Sequence, residues 1–327
     1  MHVTHGGRLF EAARELGCDW REILDFSASI NPLGPAPGVL DAIVAALDEI
    51  VHYPDPYGIR LQHALAAQWR VEPDCILVGN GATELIHFVS RVWRDKVTLA
   101  VPVFSEFHRA FPDAFLVPIN ADWPDDGLLV YTNPLNPSGE AIDFRDRRGL
   151  TWVDESFIEF TDLPSCLSRA LVLRSLTKFH ALPGLRIGAL VGPVDLIRQW
   201  RERREPWQLN VLAEAAALVA INAYEHHRRT REYVRAERER VIASIEQLRP
   251  GSTRPSLANY IMMHVPSGLS KDIAEQFRKR RILVRDCTGW PGVPDGYLRI
   301  AIRTREENDQ LLHCWMEIVG NTDWRSH

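Results

Sequence analysis

Apolar and polar positions alternate regularly through the middle of the chain, from residue 76 to residue 191. Short apolar runs follow one another and are separated by segments with helical spacing or by turns. This alternation predicts an α/β fold in which a mostly parallel central sheet is flanked by helices. The predicted strands are Ile76–Val78, Val97–Val101, Phe115–Val117, Leu128–Thr132, Thr151–Asp154, Leu171–Ser175 and Ile187–Val191.

The pattern differs on both sides of this region. After Pro206, long helical segments are followed by a mixture of strands and helices, which predicts a smaller α+β domain. We therefore expect a large domain over residues 36–224 and a small C-terminal domain over residues 225–327. The remaining predicted helices are Arg8–Leu16, Val39–Ile50, Ile59–Trp69, Val211–Tyr224, His226–Leu248, Lys271–Arg280 and Glu306–Ile318, and the remaining strands are Ile23–Ala28, Tyr260–His264, Ile282–Arg285 and Tyr297–Ala301.

Composition narrows the class of protein. The 327 residues are 46% hydrophobic, which supports a sizeable core. The net charge is −5, and the 38 basic and 43 acidic residues are interspersed, so no basic stripe favours a nucleic acid or a membrane surface. The arginine-rich segment 228–240 also carries glutamates and is typical of a solvated helix face.

The five cysteines stand far apart and form neither a Cys-x-x-Cys pair nor a cluster with zinc spacing, so we expect no metal site. Scattered thiols are typical of a reducing cytoplasm. The first residues contain no apolar signal core, and no apolar run approaches the ~18 residues of a membrane span. We therefore expect a cytoplasmic protein.

Lys178 is the most informative candidate residue. It ends the segment Ser175-Leu176-Thr177-Lys178, and Arg186 follows eight residues later. Lysine amines form Schiff bases with carbonyl compounds, and the two hydroxyls with the arginine suit a neighbouring cofactor phosphate. The alternative is a surface lysine that follows a buried strand.

Three other motifs lie at or just after the ends of predicted strands, where ligands bind in open α/β sheets. Gly79–Glu84 is a glycine turn that opens a helix and suits an anion, although such turns are common. Asn133–Gly139 contains two Asn-Pro pairs, whose rigidity could aim the Asn136 amide at a ligand or could simply form a tight loop. Asp154 could pair with a protonated pyridine nitrogen of a bound ligand, or it could cap the helix of the next segment.

The order of these four motifs resembles that of the pyridoxal 5'-phosphate (PLP) enzymes of the aspartate-aminotransferase superfamily, which have fold type I. The resemblance covers nearly the whole chain. It implies that Lys178 binds PLP, that Asp154 pairs with the ring nitrogen, and that Asn136 contacts the ring hydroxyl. It also implies contacts to the cofactor phosphate or ring from Gly81, Ala82, Thr83, Phe104, Ser175, Thr177 and Arg186.

The resemblance also implies an assembly. The segment Tyr53-Pro54-Asp55-Pro56 is similar to a motif whose tyrosine reaches the cofactor phosphate of the neighbouring subunit. We therefore expect a homodimer with shared active sites, although a proline-rich turn with a packed tyrosine is the alternative. The N-terminal segment, residues 1–35, is expected to pack on the small domain.

Several segments resemble the L-threonine-O-3-phosphate decarboxylases of cobalamin biosynthesis. They include Thr4–Gly7, Asp25–Gly34, Arg174–Phe179, Arg281–Cys287 and Leu298–Arg303. The chain departs from that branch at Arg8, where an asparagine is usual, and in its short segments between Asn120 and Leu128 and around Ile142 to Gly149. It departs from many aminotransferases at Phe157, where they carry a tyrosine that hydrogen-bonds the ring hydroxyl.

The branch resemblance implies decarboxylation of L-threonine O-3-phosphate to (R)-1-amino-2-propanol O-2-phosphate. Such a substrate carries two anionic groups, and we expect Arg285 and Arg299 to converge on it. The expected substrate residues are His5, Gly6, Asn31, Asn136, Arg285 and Arg299. Threonine phosphate and serine phosphate differ by one methyl, worth ~1–3 kcal/mol, so the sequence does not separate them.

Two other functions are alternatives to decarboxylation of L-threonine O-3-phosphate. The first is a PLP-dependent aminotransferase of the histidinol-phosphate type. Release of carbon dioxide without a 2-oxo acid acceptor discriminates against it. The second is a non-catalytic subunit of the cobalamin pathway that keeps the fold, against which the intact Lys178, Asp154 and Arg186 argue.

Overall fold

The computed structural model describes residues 5–321. Thr4 of the predicted N-terminal motif and residues 322–327 of the predicted small domain therefore lie outside the described residues. The helices are α1 (Leu9–Leu16), α2 (Val39–Ala45), α3 (Ile59–Trp69), α4 (Gly81–Val92), α5 (Ser105–Ala110), α6 (Val194–Arg201), α7 (Val211–Ala220), α8 (Tyr224–Leu248), α9 (Ser270–Lys279) and α10 (Arg305–Asn321). The strands are β1 (Leu24–Asp25), β2 (Ile76–Gly79), β3 (Val97–Val101), β4 (Phe115–Pro118), β5 (Leu128–Thr132), β6 (Leu150–Asp154), β7 (Leu171–Ser175), β8 (Gly188–Val191), β9 (Tyr260–His264), β10 (Ile282–Leu283), β11 (Arg285–Asp286) and β12 (Tyr297–Ala301).

A seven-stranded sheet forms the centre of the protein, in the order β2-β8-β7-β6-β5-β3-β4. Its strands are parallel except β8, which runs antiparallel to both of its neighbours. β2, β5, β7 and β8 are buried along their whole length, because apolar clusters cover both faces of the sheet. The prediction of a mostly parallel sheet flanked by helices is confirmed, and burial on both faces explains the continuous apolar runs.

A second unit follows the long helix α8. Its antiparallel sheet has the order β11-β12-β9 and packs on α9 and α10 through a cluster that includes Phe277 and Trp315. β1 from the N-terminal segment pairs with β10, and Phe26 is buried in the same cluster. These contacts support the packing of the N-terminal segment on the small domain. The division at residues 35 and 224 stays a prediction.

Several predicted elements differ from the structure. The helix predicted over Val211–Tyr224 ends at Ala220, and the segment predicted as extended over Ile23–Ala28 pairs as a strand only at Leu24–Asp25. The helix predicted over Val39–Ile50 is α-helical only to Ala45 and continues as a 3-10 helix over Leu47–Val51. The strand predicted over Ile282–Arg285 is split, because β10 pairs with β1 whereas β11 pairs with β12. Within the described part of the chain, no helix is long and apolar enough to cross a membrane.

Candidate active site

The candidate residues meet at the carboxyl edge of the large sheet. β6 ends at Asp154, which lies beside Thr132 of β5 and Leu173 of β7. Ser175, at the end of β7, pairs with Gly188. The parallel strands therefore end at one edge, and their side chains, with Lys178 just after β7, share one site.

Lys178 differs from the other lysines in its surroundings. The chain has only four lysines, and Lys96, Lys271 and Lys279 are exposed whereas Lys178 is partly buried. Burial, together with the nearby Arg299 and Arg186 guanidinium groups, lowers the pKa of Lys178 from 10.5 to about 8. A substantial share of the amine is therefore neutral near physiological pH, as a nucleophilic lysine requires.

Asp154 is the buried acidic residue of this site. Its side chain is 3% exposed, and Oδ1 accepts hydrogen bonds from the backbone N–H and the hydroxyl of Ser156 at 3.0 and 2.5 Å. Oδ2 accepts no hydrogen bond from any residue between 5 and 321. Burial raises the pKa of Asp154 from 3.8 to about 6, so this carboxylate is stabilised by any cationic or N–H partner that reaches it.

A cradle of donors lies beside the lysine. The buried hydroxyls of Ser175 and Thr177 are 2.7 Å apart. Helix α4 begins at Gly81 without a side-chain cap, so the first N–H groups of this helix, including those of Ala82 and Thr83, have no capping side chain. The guanidinium of Arg186 packs directly against Gly81, where any Cβ would collide with it. Hydroxyls, free helix N–H groups and a guanidinium are the donor set that a phosphate dianion requires.

The residues present fit PLP. The donor cradle suits the phosphate of PLP, and the Lys178 amine suits its aldehyde. The oxygen of Asp154 that has no protein partner suits its ring nitrogen. Phe104 follows β3 as the residue before α5 and is partly buried, as the predicted ring-stacking residue should be. These roles remain predictions, because they rest on the chemistry of the donor set.

Arg299 links the predicted cofactor residues to the small domain. It is 7% exposed, and its Nη1 donates to Asn136 Oδ1 at 2.7 Å while Nη2 donates to the Ser27 carbonyl at 2.8 Å. Its Nε is buried without a partner among residues 5–321. The guanidinium also lies over the Tyr260 ring, 5.1 Å from the centroid. Asn136 therefore connects the predicted cofactor residues with the predicted substrate residue Arg299.

Arg285 lies directly opposite Arg299 in the β11–β12 register. Burial and the Arg299 charge lower the pKa of Arg285 to about 10. Neither arginine forms a salt bridge with a described carboxylate. Two adjacent cations that form no salt bridge with residues 5–321 favour an anionic ligand. Arg285 also lines a cavity of about 370 Å³ together with His5, Gly6, Ser27 and Ser105.

Two predicted substrate residues have protein partners in this structure. His5 Nε2 lies 2.8 Å from Glu106 Oε1. The amide nitrogen of Asn31 donates to the Phe179 carbonyl and to the Thr230 hydroxyl, at 2.9 and 3.0 Å. The backbone N–H of Asn31 donates to the Lys178 carbonyl at 3.0 Å, so Asn31 holds the loop that carries the lysine. Direct substrate contacts from His5 and Asn31 stay predictions.

Tyr53 is not brought to this site within the chain. Its side chain is 82% exposed and packs against Trp207 with tilted rings whose centroids are 4.9 Å apart. This placement leaves its hydroxyl available to another subunit, as the predicted motif requires.

Sequence reasoning missed Tyr260 and Glu106. Tyr260 is fully buried, and its hydroxyl donates to the Leu135 carbonyl at 3.1 Å, while Phe157 packs edge-on against its ring at 5.0 Å. The aromatic Phe157 at the usual tyrosine position therefore supports the Tyr260 ring, which in turn lies under Arg299. Neither Tyr260 nor Glu106 belongs to a recognisable motif, so no local signal could have identified them.

Comparisons with known proteins agree with this geometry. The sequence profile of the family described as Aminotransferase class I and II matches residues 21–314. A threonine-phosphate decarboxylase from Salmonella typhimurium is 34% identical, over 98% of this chain and 97% of that protein. A histidinol-phosphate aminotransferase from Akkermansia muciniphila is 31% identical, over 96% of this chain and 95% of that protein. The solved structure of L-threonine-O-3-phosphate decarboxylase from Porphyromonas gingivalis superimposes with a TM-score of 0.82 at 22% identity, covering 91% of this chain and 100% of that one, and shows the same fold.

Proposed function

Since this chain belongs to the class I and II aminotransferase family, we propose that it is a PLP-dependent decarboxylase of L-threonine O-3-phosphate that acts in cobalamin biosynthesis. The observation that carries this proposal is Lys178, which is partly buried, which feels the charges of Arg299, Arg186 and Asp154, and whose pKa is lowered to about 8. The 34% identity to a threonine-phosphate decarboxylase over 98% of the chain supports the choice of reaction.

PLP, when bound, supplies an electron sink for a bond that breaks at the substrate α-carbon. Lys178 would hold the cofactor through Nζ and, once released, would return a proton to the α-carbon. Asp154 would keep a proton on the ring nitrogen, and Ser156 fixes the carboxylate for that task through Oδ1. Ser175, Thr177 and Arg186 would hold the cofactor phosphate.

The arginine pair decides which bond is presented for cleavage. A decarboxylase must present the bond between the substrate α-carbon and its carboxylate for cleavage, whereas an aminotransferase must present the bond to hydrogen. Arg285 and Arg299 form an anion site beside Asn136 that would bind the substrate phosphate. If both arginines bound the phosphate, neither would hold the substrate carboxylate, and the carboxylate could leave as carbon dioxide.

An aminotransferase of the histidinol-phosphate type is the second candidate, because one such relative is 31% identical over 96% of the chain. Phe157 distinguishes the two. Its ring packs on Tyr260 and has no hydroxyl to donate to the cofactor ring, unlike the tyrosine of many aminotransferases.

The deciding experiment uses purified PLP-loaded protein with three substrates: O-phospho-L-threonine, O-phospho-L-serine and L-histidinol phosphate. Each is incubated with and without 2-oxoglutarate and scored for released carbon dioxide and for amine product. The proposal predicts carbon dioxide and aminopropanol phosphate from O-phospho-L-threonine without any 2-oxo acid. Turnover that requires 2-oxoglutarate and releases no carbon dioxide would instead establish the aminotransferase.

We propose further that the protein works as a homodimer. Apolar side chains are exposed on α2 and in the segment after it, with Val44, Ile50 and Val51 at 66%, 61% and 77% exposure. Patches of this kind mark protein interfaces. Tyr53 lies just beyond them and would reach the cofactor phosphate of the partner. Sedimentation analysis of the protein tests the dimer. A cytoplasmic location stays a prediction.

A further inference from the structure

A buried carboxylate that is not among the predicted site residues binds the N-terminal segment. Glu106, on α5, is 3% exposed and binds three side chains. His5 Nε2 lies 2.8 Å and Arg109 Nη1 2.9 Å from its Oε1, and His87 Nε2 lies 2.7 Å from its Oε2. Burial would raise the pKa of Glu106, but the hydrogen bonds from His87 and Arg109, together with the charges of Arg109 and His5, outweigh it and lower the pKa. The carboxylate is therefore ionised and accepts from both imidazoles.

This bond fixes the orientation of His5. Because Glu106 can only accept, His5 carries its hydrogen on Nε2, and Nδ1 is the nitrogen left for another partner. Nδ1 lies 3.3 Å from Ser105 Oγ, which is long for a hydrogen bond from a hydroxyl. The imidazole also packs against Phe104, with ring centroids 5.8 Å apart. His5 is thus held at the edge of the predicted cofactor site with one nitrogen weakly engaged.

The same segment contacts the predicted anion site. Gly6 lies so close to Ser27 that a Cβ on Gly6 would collide with the Ser27 carbonyl oxygen. The Gly7 N–H donates to Ser27 Oγ at 2.9 Å, and the Ser27 carbonyl accepts from Arg299 Nη2 at 2.8 Å. Residues 5–7 therefore contact two groups. His5 contacts Glu106 of α5, and Gly6 and Gly7 contact Ser27, whose carbonyl binds Arg299.

From these contacts we infer that Glu106 is a positioning residue for the substrate site. It holds His5 through Nε2 so that His5 Nδ1, the Gly6 backbone and Arg299 face the phosphate of the substrate together. The inference rests on the proposed function, because it assigns Glu106 to substrate binding and not to the bond-breaking step.

The test is steady-state kinetics of the PLP-loaded enzyme with O-phospho-L-threonine. Glu106→Gln keeps the shape of the side chain but cannot accept from both imidazoles. It is expected to raise KM about tenfold, the effect of weakening one charge-assisted hydrogen bond, and to change kcat by less than about twofold. His5→Ala should raise KM to a similar extent. The double variant should be no worse than His5→Ala alone, because Glu106 acts through His5.

His87→Ala is the matched control. It removes the partner of the other Glu106 oxygen and leaves the bond to His5 in place, so it should lower the thermal midpoint without raising KM. Three outcomes would overturn the inference: an unchanged KM for Glu106→Gln, additive effects of the His5 and Glu106 changes, or an equal rise in KM for His87→Ala. If Glu106→Gln does not fold, an unchanged KM for His5→Ala alone overturns it.

Hydrogen exchange separates this inference from the proposed function. Glu106→Gln should speed amide exchange over residues 5–16, and His87→Ala should not. If the unmodified enzyme releases no carbon dioxide from O-phospho-L-threonine, the proposed function fails, and unchanged exchange in Glu106→Gln then also overturns the positioning role.

Discussion

Replacing Asp154 with asparagine should stabilise the PLP-free protein and should remove the decarboxylase activity of the PLP-loaded protein. Asparagine has the shape of a protonated aspartate and can keep the hydrogen bonds from Ser156. In the folded protein the pKa of Asp154 is raised from 3.8 to about 6, chiefly by burial. The folded state therefore binds more protons than the unfolded state between these pH values, so stability falls as pH rises through that window. Above pH 6 the full cost is present, on the order of 3 kcal/mol at 1.36 kcal/mol per pKa unit.

The assay is thermal unfolding of PLP-free wild type and Asp154→Asn at pH 3.5 and pH 8. The variant should melt several degrees higher at pH 8, at ~1.5 °C per kcal/mol for a chain of this length, and close to wild type at pH 3.5. With PLP added, the order should reverse, because only the wild type offers a charge to the ring nitrogen. A variant that is no more stable than wild type at pH 8, or that retains normal decarboxylation, would refute this reasoning.

Two further predictions concern the anion site and the phosphate cradle. Arg285→Ala and Arg299→Ala should each raise KM for O-phospho-L-threonine about 10- to 100-fold, because each removes charge-assisted hydrogen bonds worth ~1.5–3 kcal/mol; unchanged steady-state kinetics with both replaced would rule out the site. Gly188→Ala should weaken PLP binding in a fluorescence titration, since its Cβ would lie 2.6 Å from the Ala82 nitrogen in the cradle. Gly184→Ala is the control, because nothing lies within 4 Å of a Cβ there, and equal losses in both variants would contradict the assignment.

Local patterns in the sequence predicted the central sheet well. Strands such as β5 and β7 are buried on both faces, so they appear as continuous apolar runs with sharp ends. The carboxyl ends of parallel strands meet at one edge, which is why motifs after separate strands could be assigned to one site. The antiparallel direction of β8 was not predicted, since strand direction leaves no trace in hydrophobic periodicity.

The contacts between distant segments could not be read from the sequence. The Ser27 carbonyl and Arg299 are 272 positions apart, and the Tyr260 hydroxyl and the Leu135 carbonyl are 125 apart. Such pairs are set by how the small unit docks on the large sheet. The bond between His5 and Glu106 is of the same kind, and Glu106 lies in an ordinary helical segment. The resemblance to the decarboxylase branch identified Arg285 and Arg299 as candidates, but only the β11–β12 register shows that they lie opposite each other.

The most direct test of the account is to find where PLP attaches. PLP-loaded protein is reduced with borohydride, digested, and its peptides are weighed by mass spectrometry. With only Lys96, Lys178, Lys271 and Lys279 to consider, assignment is unambiguous. We expect the added mass only on the peptide that contains Lys178, and we expect both this mass and carbon dioxide release to be lost in Lys178→Ala. An unmodified Lys178 peptide, or a Lys178→Ala variant that still decarboxylates at the normal rate, would contradict it.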